Sequence, residues 1–250
     1  DKLPASLASA TVGSFNYKRA LLAGSPQFGG GNLLYALEAQ GADGPWDNPS
    51  KFGKLNGVLR YSHEHKTGGF SLTAMGYRAD WNATDQIPQR AFNAGLVSRW
   101  GALDPSDGGA SSRYSLSGQW RRTDTAGSTN ASFYAVRSRL DLYSNFTFFQ
   151  NDAVNGDQFH QRERRTYGGG TLSRSWIGEL GGATSTTTFG LQARRDRVTP
   201  VALYRTIERR QLSVVREDRV TVESLSPYVS NTTAWTEWFR TIAGLRSDHY

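Results

Sequence analysis

Cysteine is absent from the 250 residues, which excludes disulfides, thiolate metal sites and thiol nucleophiles together. Methionine occurs once and histidine four times, too few soft donors for a dedicated copper-type centre. No run approaches the roughly 18 consecutive apolar residues of a membrane-crossing helix, and mean hydropathy is −0.56. The opening Asp1-Lys2-Leu3-Pro4 has neither the charged n-region nor the apolar h-region of a secretory signal. Either a signal has been removed or the chain is an internal piece. The excess of 29 basic over 22 acidic residues raises the question of nucleic acid. The arginines, however, are spread along period-two segments, with no lysine-rich run or recognition-helix pattern, so no nucleic-acid partner is expected.

What is present is alternation. Roughly ten period-two segments, each about long enough to cross a bilayer as a strand, are joined by alternately short and long connections. The short gaps fall at 24–31, 66–69, 125–129, 180–184 and 234–237. The longer ones are 41–53, 84–112, 151–160 and 197–219. Short turns on one side and long loops on the other are the pattern of an antiparallel transmembrane β-barrel. A soluble sandwich also alternates. Segments as long as 134–148 exceed the roughly 5–6 residues of an ordinary strand, and aromatics such as Phe146, Phe148 and Phe149 gather at the ends, which favours the membrane.

Because successive side chains point to opposite faces, each segment can be sorted. In 134–148, Tyr134, Val136, Leu140, Leu142, Phe146 and Phe148 are expected to face lipid, opposite Arg137, Arg139, Asp141, Tyr143, Asn145 and Thr147. In 187–196, Phe189, Leu191 and Ala193 oppose Gln192, Arg194 and Asp196. In 113–121, Tyr114, Leu116 and Trp120 oppose Arg113, Ser115, Ser117, Gln119 and Arg121. In 239–248, Phe239, Ala243 and Leu245 oppose Arg240, Arg246 and Asp248. The expected lumen-facing set is therefore Arg60, Arg137, Arg139, Asp141, Arg194, Asp196, Arg240, Arg246 and Asp248. Its arginines either bias the lumen toward anions or pair with neighbouring carboxylates and a plug. Trp46, Trp81, Arg90, Trp100, Phe159 and Tyr204 fall in or beside the long loops and are the expected ligand contacts, as stacking planes and cationic donors. Tryptophans at these positions serve equally as headgroup anchors.

Other motifs carry less. Asn151, Asp152, Asn155 and Asp157 have the composition of a calcium loop without the EF-hand spacing or its closing glutamate, and are expected to form a hydrogen-bonded turn. His63-Glu64-His65 adjoins a short turn and is expected to be a solvated strand end, so no metal site is assigned. Among the remaining histidines, His160 lies near Asp157, but no serine or water-activating pair accompanies it, and no catalytic residue or cofactor is expected. Gly29-Gly30-Gly31 and Gly168-Gly169-Gly170 have no helix after them and are expected to be turns or bulges, not phosphate cradles.

Several runs together resemble the barrel domain of TonB-dependent outer-membrane receptors: Leu33–Gln40 with Asp43-Gly44-Pro45-Trp46-Asp47-Asn48-Pro49, Lys54–Ser62, Trp81–Ala91, Leu142–Phe149, Asn155–Phe159 and Ala243–Asp248. The resemblance implies a single partial barrel domain over 1–250, about ten strands of a 22-stranded barrel, without the plug domain that precedes the barrel in the family. It further implies location in the outer membrane of a Gram-negative cell, surrounded by its lipid. The implied partners are a plug and TonB, supplied by parts outside this sequence, and the implied cargo is a large scarce ligand, a ferric siderophore first. A small autonomous pore or barrel hydrolase is the alternative.

Overall fold

A computed structural model describes residue 3 and residues 5–250, so Asp1, Lys2 and Pro4 of the opening segment lie outside the described residues. The fold is one antiparallel sheet, with, among the described residues, a single short helix, α1 (Gln89–Asn93), in a loop. Its strands are β1 (Leu7–Val12), β2 (Lys18–Gly24), the two-residue β3 (Gln27–Phe28), β4 (Gly31–Ala42), β5 (Phe52–His65), β6 (Gly68–Asn82), β7 (Gly108–Asp124), β8 (Gly127–Ser144), β9 (Phe159–Leu180), β10 (Ala183–Ile207), β11 (Arg210–Ala234) and β12 (Arg240–Arg246). Each strand pairs with the next in sequence, except that β3 is a side branch on β4. The sheet is open, with β1 and β12 at its edges.

Turn chemistry fixes the end at which connections are tight. Gly181 and Gly182 have φ of 58° and 80°, the left-handed pair that a two-residue hairpin with the right strand twist requires and that glycine adopts without cost. The hairpins at 66–67 and 125–126 are equally short and lie at the same end of the sheet. At the opposite end the connections 43–51, 83–107 and 145–158 are long.

The expected fourth long loop, 197–219, is not a loop. β10 and β11 stay paired through it and turn only at Glu208-Arg209, with register shifts at Val198/Val201, Leu203/Tyr204 and Arg205/Thr206. Charged and turn-favouring residues made the segment look like a connection, whereas continued backbone pairing carries it far out as a ribbon. Gly168–Gly170 also differs from expectation, because the strands pair in unbroken register on both sides of it. The absent side chains leave room for a neighbour. A Cβ at Gly169 would lie 2.9 Å from the Tyr134 hydroxyl.

Register assigns the faces, since directly opposed residues project from the same side. One face carries Leu22, Leu37, Leu55, Leu59, Phe70, Leu72, Leu116, Trp120, Phe133, Leu172, Phe189 and Leu191, all exposed. They form a continuous apolar belt nearer the tight-turn end. At its lower rim Arg174 donates to Asp124 in the β7–β8 hairpin and lies 5.7 Å from the Trp176 ring, so its charge is carried out of the apolar zone. The opposite face at the same height carries Ser71, Thr73, Gln119, Asn130, Ser132, Thr171, Ser173 and Gln192. Apolar outside and polar inside is the inverse of a soluble sheet and the arrangement of a membrane barrel wall.

Candidate ligand site at the outer rim

The polar face gathers cations around one aromatic ring. Tyr167 on β9 accepts a hydrogen bond from Arg113 of β7 at 2.8 Å, and the Arg165 and Arg194 guanidinium carbons lie 5.0 and 5.8 Å from its ring. Asp196, 6% exposed, accepts from Arg165 Nε at 2.9 Å and from Arg194 at 3.0 Å. Arg246 donates to Gln192 at 2.6 Å and to Asp248 at 2.8 Å, and Arg60 donates to Thr73 at 3.3 Å. Register places Arg60, Arg194, Asp196, Arg240 and Arg246 on this face.

Arg137, Arg139 and Asp141 are on the other side, and their expected facing is corrected. Arg137 opposes Tyr114, and four positions below it Phe133 opposes Gly118, so all three charged residues share the face of the belt but stand above it. β8 has 18 residues and β10 has 25, whereas a tilted crossing takes about 9–11. The upper parts of these strands extend beyond that length. There the belt's face becomes polar, while Val136, Leu140 and Leu142 turn inward. Asp141 accepts from His160 at 2.9 Å and from Arg164 at 2.6 Å.

His160 itself is stacked on Tyr143, with ring centroids 4.2 Å apart and an interplanar angle of 13°, and lies 5.6 Å from the Tyr204 ring. Burial pushes its pKa down, against the opposing pull of Asp141. The Tyr204 hydroxyl donates to Glu217 at 2.8 Å. Tyr204 is therefore a packed residue of the β10 extension on the outward face, not a loop side chain. Phe159, at the start of β9, lies 5.7 Å from Phe146, and Trp81, the last residue but one of β6, is opposite Gly109.

Two of the expected contacts come together across loops. Trp46 and Trp100 have ring centroids 5.8 Å apart, and the loops carrying them are joined where the Asp47 amide donates to Trp100 O at 3.0 Å and Asn48 Nδ2 donates to Pro105 O at 2.9 Å. Arg99 adds a cation 5.8 Å from the Trp100 ring. Arg90 sits exposed on α1 of the same loop, apart from this pair.

Sequence reading did not identify the node that fastens the rim. Gln158, 2% exposed, donates through Nε2 to Ser106 Oγ at 2.8 Å, Asp107 Oδ1 at 3.0 Å and Asp104 Oδ2 at 3.2 Å. Its Oε1 accepts from Thr206 Oγ1 and the Arg209 amide, each at 2.9 Å. Asn145 N donates to Asp107 Oδ2 at 3.0 Å and Asn145 Nδ2 to Asp104 at 2.9 Å. The Arg209 side chain reaches Ser106 O at 2.6 Å and Asn82 Oδ1 at 3.1 Å, and lies 5.4 Å from the Tyr143 ring. Two long loops and the β10–β11 tip are thus pinned to one amide. Burial raises Asp107 to about 7, opposed by the Gln158 hydrogen bond and reinforced by the nearby Asp104 and Asp85 carboxylates.

The adjoining 151–157 segment is the expected hydrogen-bonded turn. Asp157 accepts from the amides of Gln150, Asn151 and Asp152 at 2.9–3.0 Å. The Asn155 amide and side chain, then the Val154 amide, hold the Asp152 carboxyl below its ordinary range.

No family model matches the chain, and no curated protein matches it. Solved structures do. The ferric citrate transporter FecA in its unliganded form aligns at TM-score 0.67 and 13% identity, over 97% of this chain and 36% of that one. The ferric-catecholate import receptor Fiu from E. coli K12 aligns at 0.67 and 13%, over 96% and 43%. The copper transporter OprC aligns at 0.61 and 16%, over 99% and 37%. The chain spans less than half the length of each. It has the fold of one stretch of barrel wall from TonB-dependent outer-membrane receptors.

Proposed function

We propose that the chain is part of the wall of a TonB-dependent receptor in the outer membrane, taking up a large anionic ligand, an iron chelate first. The observation that carries the reading is the division of one sheet into an apolar belt and a polar face on which Arg113, Arg165 and Arg194 converge on Tyr167. Such a surface attracts carboxylate or catecholate groups and supplies a stacking plane. Above it, Trp46 and Trp100 offer paired aromatic faces at the mouth. Neighbours of this fold include proteins described as ferric citrate, ferric-catecholate and copper transporters, so chelated metals are the first class of ligand to screen. A plug and TonB complete the proposed machine.

The test is uptake of radiolabelled iron, presented as citrate and catecholate chelates, by cells with and without the whole protein that carries this chain. Saturable uptake that vanishes when TonB is removed is expected. Passive leakage unaffected by TonB would replace the reading with an autonomous pore, and ligand cleavage would replace it with a barrel hydrolase.

A further inference from the structure

On the inward face the polar lining does not continue to the top of the wall. At the height of the belt the inward positions from β7 to β10 are serine, threonine, asparagine and glutamine, as a water-filled interior requires. Higher up, register lays out rows of a different kind. One of them, Tyr77–Arg113–Ser138–Arg165–Val198–Val220 from β6 to β11, puts two cations and two valines in a single line. The next two rows, from β8 to β11, are Leu140–Glu163–Val201–Asp218 and Leu142–Gln161–Leu203–Arg216. Val222 lies one step below Val220, opposite Asp196.

On β10 and β11 these side chains form an aliphatic shelf, and Val201, Val220 and Val222 are exposed on it. Its upper border is closed by Arg216 and Asp218, which pair with each other. β-Branched residues favour strands, but threonine meets that need at Thr73 and Thr171 lower on the same face, so backbone preference does not account for valine here. The cations beside the shelf are only partly answered. Asp196 pairs with Arg165 and Arg194, whereas Arg113 donates to the Tyr167 hydroxyl and forms no ion pair among the described residues. Neighbouring strands are about 4.8 Å apart, so an anion held between Arg113 and Arg165 has Val198 and Val220 within roughly 10 Å on the β10–β11 side.

A purely hydrophilic chelate would use the charge and leave the shelf wet. We infer that the ligand taken up is amphiphilic, an anionic chelate joined to an aliphatic chain, with the chelate on the Arg113–Tyr167–Arg165 cluster and the chain laid along Val198, Val201, Val220 and Val222. The shelf on β10 and β11 carries branched aliphatic groups without an aromatic plane, which fits a flexible chain better than a ring that would stack. From the Val222 row to the Leu203 row it runs three same-face steps, about 20 Å, long enough for an extended acyl chain. The inference rests on the reading of this face as the wall that receives an anionic ligand.

The whole protein is held in nanodiscs and titrated with ferric dicatecholate chelates that carry no chain or an alkyl chain of about 4, 8 or 12 carbons. All variants share the same disc, so partition of the chain into lipid cancels between them. A methylene moved fully out of water is worth about fourfold in affinity. An open shelf realises part of this, and wild-type affinity is expected to rise at least about tenfold from the shortest chain to the longest. V198T/V201T/V220T/V222T, which keeps shape and strand preference, is expected to flatten that rise to within about threefold, while L191T on the outward face keeps it. If the fourfold variant does not fold, V201T/V222T carries the same comparison. A wild type indifferent to chain length overturns the proposal, because the protein's own plug or loops would then cover the shelf. An equal rise in wild type and the threonine variant overturns it too, because the chain would then lie in the lipid. The chelate without a chain separates the two levels of claim. If it fails to bind and R113Q changes nothing, the anionic-ligand reading itself fails, whereas binding that R113Q weakens, with no dependence on chain length, sinks only this inference.

Discussion

Replacing Gln158 by alanine should unfasten the outer rim while leaving the barrel wall standing. The amide is 2% exposed and bridges Ser106, Asp107 and Asp104 on one loop to Thr206 and Arg209 on the β10–β11 ribbon. Neutral hydrogen bonds contribute about 0.5–1.5 kcal/mol each and those to charged groups about 1.5–3. Five such contacts sum to more than the substitution costs, because water entering the vacated space re-satisfies the exposed partners. We expect a loss of about 3 kcal/mol in rim docking, or on the order of a hundredfold in the opening equilibrium.

Amide hydrogen exchange reads this directly. Asn145 N, which bonds Asp107, Thr206 N, which bonds Gln158 O, and Arg209 N, which bonds Gln158 Oε1, should lose protection by about that factor. Amides of the belt rows in β6–β9 should not change. Protection at all three sites within about threefold of wild type would refute the assignment of Gln158 as the pin. Gln158→Glu sharpens the test, since it places a third carboxylate against Asp104 and Asp107. It should open the rim at neutral pH and partly restore it on acidification.

Asp107 makes the wild-type rim pH-sensitive. Its folded pKa, about 7, lies above its ordinary value of 3.8, so its contribution is fully present below about pH 4 and is lost as pH rises through 7. Exchange protection at Asn145, corrected for intrinsic rate, should therefore fall between about pH 4 and 7 and level off above, and a flat profile would count against a buried carboxyl with a raised pKa. Glu208 and Arg209 hold φ of 48° and 64° without being glycine. Glu208→Asn, which tolerates that region better, should tighten the hairpin by up to about 1 kcal/mol, seen as slower exchange at Thr206. Asp196→Ala strips the partner from Arg165 and Arg194 and should lower detergent melting temperature. Asp196→Asn should lower it less, and equal melting of all three proteins would deny the carboxylate any structural role. Gly169→Leu should force Tyr134 and β10 apart and abolish heat-modifiable folding.

Backbone periodicity made the strands, the antiparallel order and the tight-turn end legible in sequence, because alternation survives wherever one face differs from the other. It did not reveal where the chain stops pairing. The Arg197–Arg219 stretch has the charge of a loop, yet main-chain hydrogen bonds continue through it past three register shifts, and backbone pairing leaves no mark in composition. The rim node was invisible for a related reason. Gln158, Asn145 and Asp107 are scattered polar residues until loop closure brings them together. Trp46 and Trp100 were picked out as aromatics in loops, but nothing local showed that 54 positions of chain would fold their rings to 5.8 Å.

The reversed facing of Arg137, Arg139 and Asp141 has the most general cause. Alternation says only that two faces differ, and the sign of that difference is set by what surrounds the strand at each height. Within the belt the outer side is apolar, with Phe133 pointing out and Ser132 in. A few residues higher on the same strand the outer side is polar, and Arg137 and Arg139 point out while Leu140 and Leu142 turn in. A strand as long as β8 or β10 passes through both environments, and reading it as a single amphipathic segment averages two opposite patterns. In the proposed barrel wall the level at which the sign flips is the upper edge of the membrane, and Arg137, Arg139 and Arg197 cluster at that level. Position along the strand, more than charge alone, is what separates them from the lumenal arginines around Tyr167.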